Sequence, residues 1–187
     1  MIRALFICFL TIFSGTSVGA APVPYALDVK DSEVVFFYTL GGRENRGAFS
    51  VRNASTMIDL QDVRRSSLDV TISTNSVRAG DPFVTLALKG PELLATGKHP
   101  EARFVSKRVF PTDLGVRIAG DLTLKGITLP VTLNALFQRR ANAPTDNSEL
   151  ILQVTGAVPR ASFGVTGFPD LVGDMITLRF VVHLVRE

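Results

Sequence analysis

Residues 116–138 constrain this chain more than any other stretch. Val116, Ile118, Leu122 and Leu124 alternate with Arg117, Asp121, Thr123 and Lys125. Beyond Gly126, Ile127, Leu129, Val131, Leu133, Ala135 and Phe137 alternate again with mostly polar neighbours. A side-chain period of two puts each apolar row on one face of a strand, so the stretch predicts a β-hairpin with a single apolar side. The reversal falls at Lys125-Gly126, where glycine tolerates the positive φ of a two-residue turn. On that register Ile118, Leu122, Leu124, Ile127, Leu129, Val131 and Leu133 point inward, and Thr123, Thr128 and Thr132 outward. Pro130 has no N–H to offer a ladder and falls on the outer face, which suits an edge, a bulge or a strand end.

The remaining chain supplies more strands for that face to close against. Short β-type runs occupy 25–29 and 33–38, the second apolar on both sides and so expected to be covered on both. A Gly41-Gly42 loop leads to two β pieces over 47–60 broken near Asn53, then a half-buried strand carries Leu68, Val70 and Ile72. Residues 102–110, the alternating Leu150, Leu152 and Val154, and a last strand over 175–185 complete the set. That last strand has Ile176, Leu178, Phe180, Val182 and Leu184 on one face and His183 on the other. A surface turn is expected over 141–148. One stretch, 81–96, reads as helical: Asp81 can cap, Pro82 suits the first turn, the pattern breaks at Gly90 and resumes at Pro91, and Gly97 offers a left-handed stop. Its residues Phe83, Leu86, Leu88, Leu93 and Leu94 leave apolar groups around much of the circumference, as expected of a lid over an apolar space or a plug in a filled one. The fold class is all-β, with eight or nine antiparallel strands and one short helical insertion. Strands so numerous must close into a barrel or stack as a sandwich.

Ahead of the fold lies an address. Arg3, an apolar run over 4–13 and a small polar stretch ending in Val18-Gly19-Ala20 fit a signal peptide over 1–20, cleaved after Ala20 or one residue later. The apolar run is too short to span a bilayer, which takes about 20 residues. The expected location is periplasmic or secreted, with one domain over 21–187. Cys8, the sole cysteine, would leave with the leader, so the mature domain would rely on packing without disulfides. Loss of Arg3 leaves 19 basic residues against 17 acidic, a net charge of +2. So mild a charge, dispersed apart from Arg64-Arg65 and Arg139-Arg140, argues against nucleic acid as a partner.

Motifs for catalysis are missing. His99 and His183 have no second histidine or carboxylate at metal-ligand spacing, and the chain lacks a Gly-x-Ser-x-Gly elbow, a phosphate loop, a cysteine pair and a His-Glu-x-x-His helix. The expectation is a protein without catalytic residues, metal or cofactor.

Several segments in order resemble one family. They are Tyr25-Ala-Leu-Asp28, Ser32-Glu-Val-Val-Phe36, Gly47-Ala-Phe49, Ser76-Val77, Pro91-Glu-Leu-Leu94, His99-Pro100 and Phe104-Val-Ser106. Closest are 120–133, similar to a central hairpin, Arg160-Ala-Ser-Phe-Gly-Val165, similar to an Arg-x-Asp-Phe-Gly element, and Val172-Gly-Asp174. Together they identify the chain as resembling the YceI-like polyisoprenoid-binding family. The resemblance implies an exported, extended lipocalin-like antiparallel β-barrel of about eight strands, whose apolar tunnel holds an isoprenoid chain such as a quinone tail. Two departures stand out. Val84-Thr-Leu-Ala-Leu88 occupies the place of an Arg-Asp-x-His-Leu cluster, and Ser162 that of the aspartate before Phe163, so polar contacts at the helical mouth do not carry over.

The ligand-binding candidates that follow are Phe36, Phe83, Leu86, Leu88, Leu93, Leu94, Phe104, Leu122, Leu129, Phe163 and Phe180. The expected partner is an isoprenoid lipid or another long apolar chain, carried or stored, with transient membrane contact during exchange. The alternative is an exported structural or stress-response domain that acts through its surface, its barrel filled by its own side chains. The pattern assigns no oligomeric state.

Overall fold

The computed structural model describes residues 21–28, 32–138 and 146–187. The predicted leader over 1–20, the Arg139-Arg140 doublet and most of the predicted 141–148 turn lie outside the described residues. Nine strands run in chain order: β1 (Val23–Leu27), β2 (Glu33–Leu40), β3 (Arg43–Ile58), β4 (Ser67–Ser73), β5 (Glu101–Thr112), β6 (Gly115–Leu124), β7 (Ile127–Gln138), β8 (Glu149–Pro159) and β9 (Met175–Arg186). One helix, α1 (Pro82–Lys89), interrupts them. Every pairing is antiparallel, in the order β3-β2-β9-β8-β7-β6-β5-β4, and a β3–β4 pairing closes the ring into an eight-stranded barrel. The ninth strand, β1, bridges the ends of β3 and β9. Closure removes the exposed edges that an open sheet of this size would present.

The hairpin of 116–138 folds on the expected register, with Leu122 opposite Leu129, Thr123 opposite Thr128 and Leu124 opposite Ile127. Gly126 has φ +78° and Lys125 φ +50°, so both turn positions are left-handed, the twist that matches two-residue hairpins. Ile118, Val131 and Leu133 are buried, and Leu122, Leu124 and Leu129 are half-buried against the core. Ile127 departs from the expectation: it is 38% exposed, at the first residue of β7 beside the turn.

Three other expectations are refined. The two pieces over 47–60 are one strand, β3, whose ladder shifts register between Val51 and Asn53; a bulge bends a strand without ending it. The helix stops at Lys89, and 91–96 form turns, with the Leu94 N–H donating to Leu88 O (3.0 Å) and the Ala95 N–H to Gly90 O (2.8 Å). The left-handed residue there is Ala95 (φ +49°), not Gly97. Phe37 is covered on the outer face of β2 by the Arg179 guanidinium, 4.5 Å from the ring centroid, while Phe36 and Tyr38 are buried inside.

Two glycines shape the inner wall by lacking a side chain. A Cβ at Gly47 would lie 2.2 Å from the tip of the Phe36 ring, and one at Gly120 would lie 2.6 Å from that of Phe104. Each glycine makes room for the tip of an aromatic ring from the neighbouring strand.

Candidate functional site

The open axis consists of two adjoining apolar cavities. The larger, about 410 Å³, lies beneath α1 and the 90–96 turns and is walled by Phe36, Tyr38, Phe49, Leu88, Leu93, Leu94 and other apolar side chains. The smaller, about 170 Å³, continues towards β1, between Phe104, Ile118, Leu133, Leu152, Phe180 and Leu184. Val34, Ile72, Ala102, Leu122 and Leu178 border both, forming a waist. Beyond the second cavity a small cluster of Tyr25, Leu150 and Leu184 packs under β1, with the Tyr25 hydroxyl donating to Asn147 O (2.8 Å).

The sequence candidates distribute unevenly around this space. Phe36, Leu88, Leu93 and Leu94 line the larger cavity, Phe104 and Phe180 the smaller, and Leu122 both. Phe83 borders the larger cavity at its rim, 84% exposed. Three candidates do not line it. Leu86 is 71% exposed because it sits opposite Val84 and Leu88 on a helix that presents one face inward. Leu129 and Phe163 border a shallow outer groove between β7 and the end of β8. Phe163, 1% exposed, is instead a core residue beneath the 3₁₀ turn Arg160–Phe163.

The end of the barrel near α1 is held by polar contacts that the apolar pattern does not reveal. Asp81 caps α1, accepting from the N–H groups of Phe83 (2.7 Å) and Val84 (3.1 Å). Arg160 is buried and has no described carboxylate in ion-pair contact. Its Nε donates to Gly173 O (3.0 Å), one terminal nitrogen to Val165 O (2.7 Å) and Gly167 O (2.8 Å), and the other to Val172 O (2.8 Å). One guanidinium thus pins both limbs of the 164–173 loop. That loop is tied in turn to Glu92 O through the Gly167 N–H (3.0 Å), and to β2 through Gly41 N–H to Leu171 O (2.9 Å) and Gly173 N–H to Thr39 O (3.0 Å).

Tyr38 and Asp59 have displaced acidities. Burial, with the Asp81 carboxylate a second cause, raises the Tyr38 phenol above its ordinary value. Asp59, in the loop after β3, accepts from the N–H groups of Asp62 (2.8 Å) and Gln61 (2.9 Å) and pairs with Arg65. Those contacts, the Asp62 N–H foremost, hold its carboxyl below the usual range despite the burial that opposes them. Among the described residues no group of three or more His, Cys, Asp or Glu could hold a metal ion.

A closed antiparallel barrel with an apolar axis and a helix over one end defines the lipocalin-like class. Comparison with known proteins narrows it: the YceI-like domain model matches residues 25–184, and the chain belongs to that family. A UPF0312 protein of Pectobacterium carotovorum is 31% identical over 141 residues, 75% of this chain and 73% of that one. Another from Vibrio parahaemolyticus is 27% identical over 148 residues, 77% of this chain and 78% of that one. The crystal structure of Burkholderia cenocepacia BcnA superposes with a TM-score of 0.76 at 21% identity, covering 84% of this chain and 99% of that one. A polyisoprenoid-binding domain from Saccharophagus degradans superposes at 0.63 with 14% identity, covering 89% and 99%. At such identities these two structures establish the shared fold.

Proposed function

We propose that this protein is exported and holds a single long apolar chain, an isoprenoid or quinone-type lipid, along the barrel axis as a carrier or store. The observation that carries this is the two-part cavity with its continuous apolar wall. The name of the Saccharophagus relative as a polyisoprenoid-binding domain supports the same class of ligand. Hydrophobic transfer is sufficient to drive it. Burial of twenty chain carbons at about 0.8 kcal/mol per methylene gives on the order of 16 kcal/mol, and ordering the chain and losing its free motion subtract several. Micromolar or tighter affinity follows without an ion pair, which suits a mouth where Val84, Thr85 and Ala87 stand in place of the family cluster's arginine, aspartate and histidine.

The test is organic extraction of protein purified from its own host, with mass spectrometry of both phases. The expected result is a prenyl lipid near one per protein, and a polypeptide beginning at Ala21 or one residue later. Protein that comes out empty and fails to take up a prenyl alcohol afterwards would leave the surface-acting alternative as the better account.

A further inference from the structure

The rim of the larger cavity carries large apolar side chains that face solvent. Phe83 on α1 and Phe168 and Leu171 on the 164–173 loop all border the cavity, and all three are exposed. Leu86, three residues beyond Phe83 and so beside it on the helix surface, is exposed as well. The two segments are joined directly, since the Gly167 N–H donates to Glu92 O just past α1 (3.0 Å). Apolar wall and apolar rim thus form one surface that begins inside the barrel and ends in water. At roughly 200 Å² for a whole side chain of this size, the exposed fractions of the four come to about 500 Å². A patch that large on a monomer is often functional.

Area and charge choose the occupant. A stable dimer buries about 800 Å² on each partner, more than this patch offers to a second copy of the chain. The charged residues within 81–92 and 164–173 are Asp81, Lys89, Glu92 and Asp170, three acids to one base, which gives an anionic partner nothing to hold. Seating on a bilayer requires neither, since apolar side chains enter the headgroup boundary one by one and the binding grows with the area they bury. The cargo supplies a further reason: a long isoprenoid that crossed open water would forfeit the transfer free energy that holds it on either side.

Resting on the reading of the barrel as a lipid holder, we propose that Phe83, Leu86, Phe168 and Leu171 seat the α1 end of the barrel on the surface of a zwitterionic lipid bilayer. The four side chains enter the headgroup boundary, the mouth opens onto the acyl region, and the chain passes between membrane and cavity without meeting water.

The experiment is flotation of delipidated protein with vesicles of phosphatidylcholine, and with vesicles of phosphatidylcholine and phosphatidylglycerol in equal parts. Parent protein should float with the first at low and high salt alike, and no better with the second. Phe83→Ser and Leu171→Ser should each weaken partition about tenfold or more, the worth of withdrawing one large apolar side chain from lipid. Their urea midpoints should match the parent's, because both side chains are exposed in the folded protein. Leu114→Ser is the control. That leucine is comparably exposed but lies in the β5–β6 turn beyond Val109 and Val116, at the smaller cavity's end, and its loss should leave partition unchanged. Phosphatidylcholine vesicles carrying a prenyl alcohol give the second reading: parent protein should extract it, and the two rim variants should extract it more slowly to the same final loading. Protein that stays in the aqueous phase, alone or as a dimer that Phe83→Ser dissolves, overturns the bilayer seat and leaves the lipid-holding function standing. So does flotation that needs the anionic lipid, or a Leu114→Ser loss equal to that of the rim variants. Flotation with no prenyl alcohol extracted overturns the lipid-holding reading and leaves the seat.

Discussion

Ala102 offers a direct way to test whether a chain passes through the waist. It is buried, contributes only a methyl group, and borders both cavities, so Ala102→Phe would place a ring across the axis. The far cavity is about 170 Å³, and at roughly 30 Å³ for each water-sized group it takes about six methylenes. Six methylenes at about 0.8 kcal/mol each give about 5 kcal/mol of gross transfer free energy. If ordering the segment offsets half, blocking it costs about 2 to 3 kcal/mol, or roughly 30- to 150-fold in Kd. The assay is titration of delipidated parent and variant with prenyl alcohols of increasing length. Affinity in the parent should keep rising with length after it has levelled off in the variant, while the shortest alcohols bind both alike. Stability provides a second reading: a large residue forced into a packed core costs about 1 to 3 kcal/mol, whereas a ring entering open space should cost less than about 1 kcal/mol in urea unfolding. Identical length profiles in the two proteins would refute passage through the waist, and a loss near 3 kcal/mol would refute the open axis itself.

Three further outcomes are expected. Gly126→Val should destabilise by about 1 to 3 kcal/mol, since a β-branched residue resists a φ of +78° and its Cβ would sit 3.1 Å from the His99 ring; urea midpoints check it. Arg160→Met should leave four carbonyls without a donor, destabilise by about 3 kcal/mol or more and speed proteolysis within 164–173 before global unfolding. Asp59 has a folded-state pKa below its unfolded one, so its contribution is present above the unfolded carboxylate value and is lost as pH falls through it towards the folded value. Denaturant midpoints should therefore fall below about pH 4 in the parent, and the fall should be shallower in Asp59→Asn.

The hairpin, the closing strand and the start of α1 were legible because each rests on local chemistry: a period of two, a Lys-Gly turn, an aspartate followed by proline. The inward face of α1 was not, since apolar residues surround it and only its neighbours decide that Val84 and Leu88 turn in while Leu86 turns out. Phe163 looked like a wall residue because aromatic character does not distinguish a cavity lining from a core. Arg160 belonged to a recognised motif, but its partners are backbone carbonyls, which leave no trace in residue identity.

The position of β9 has a bearing on how the chain acquires its structure. This last strand lies between β8 and β2 and also receives β1, so it joins residues more than a hundred positions apart. The first eight strands can at most form a curled sheet with two free edges and its greasy inner face uncovered. Barrels dominated by such distant pairings fold slowly, and their unfinished forms are prone to aggregate. Completion therefore waits on the final dozen residues, and until they arrive the surface destined to meet a lipid is open to any other apolar surface nearby. A holdase chaperone or prompt delivery of ligand during that interval would raise the yield of closed barrels, and truncation before Met175 would abolish them.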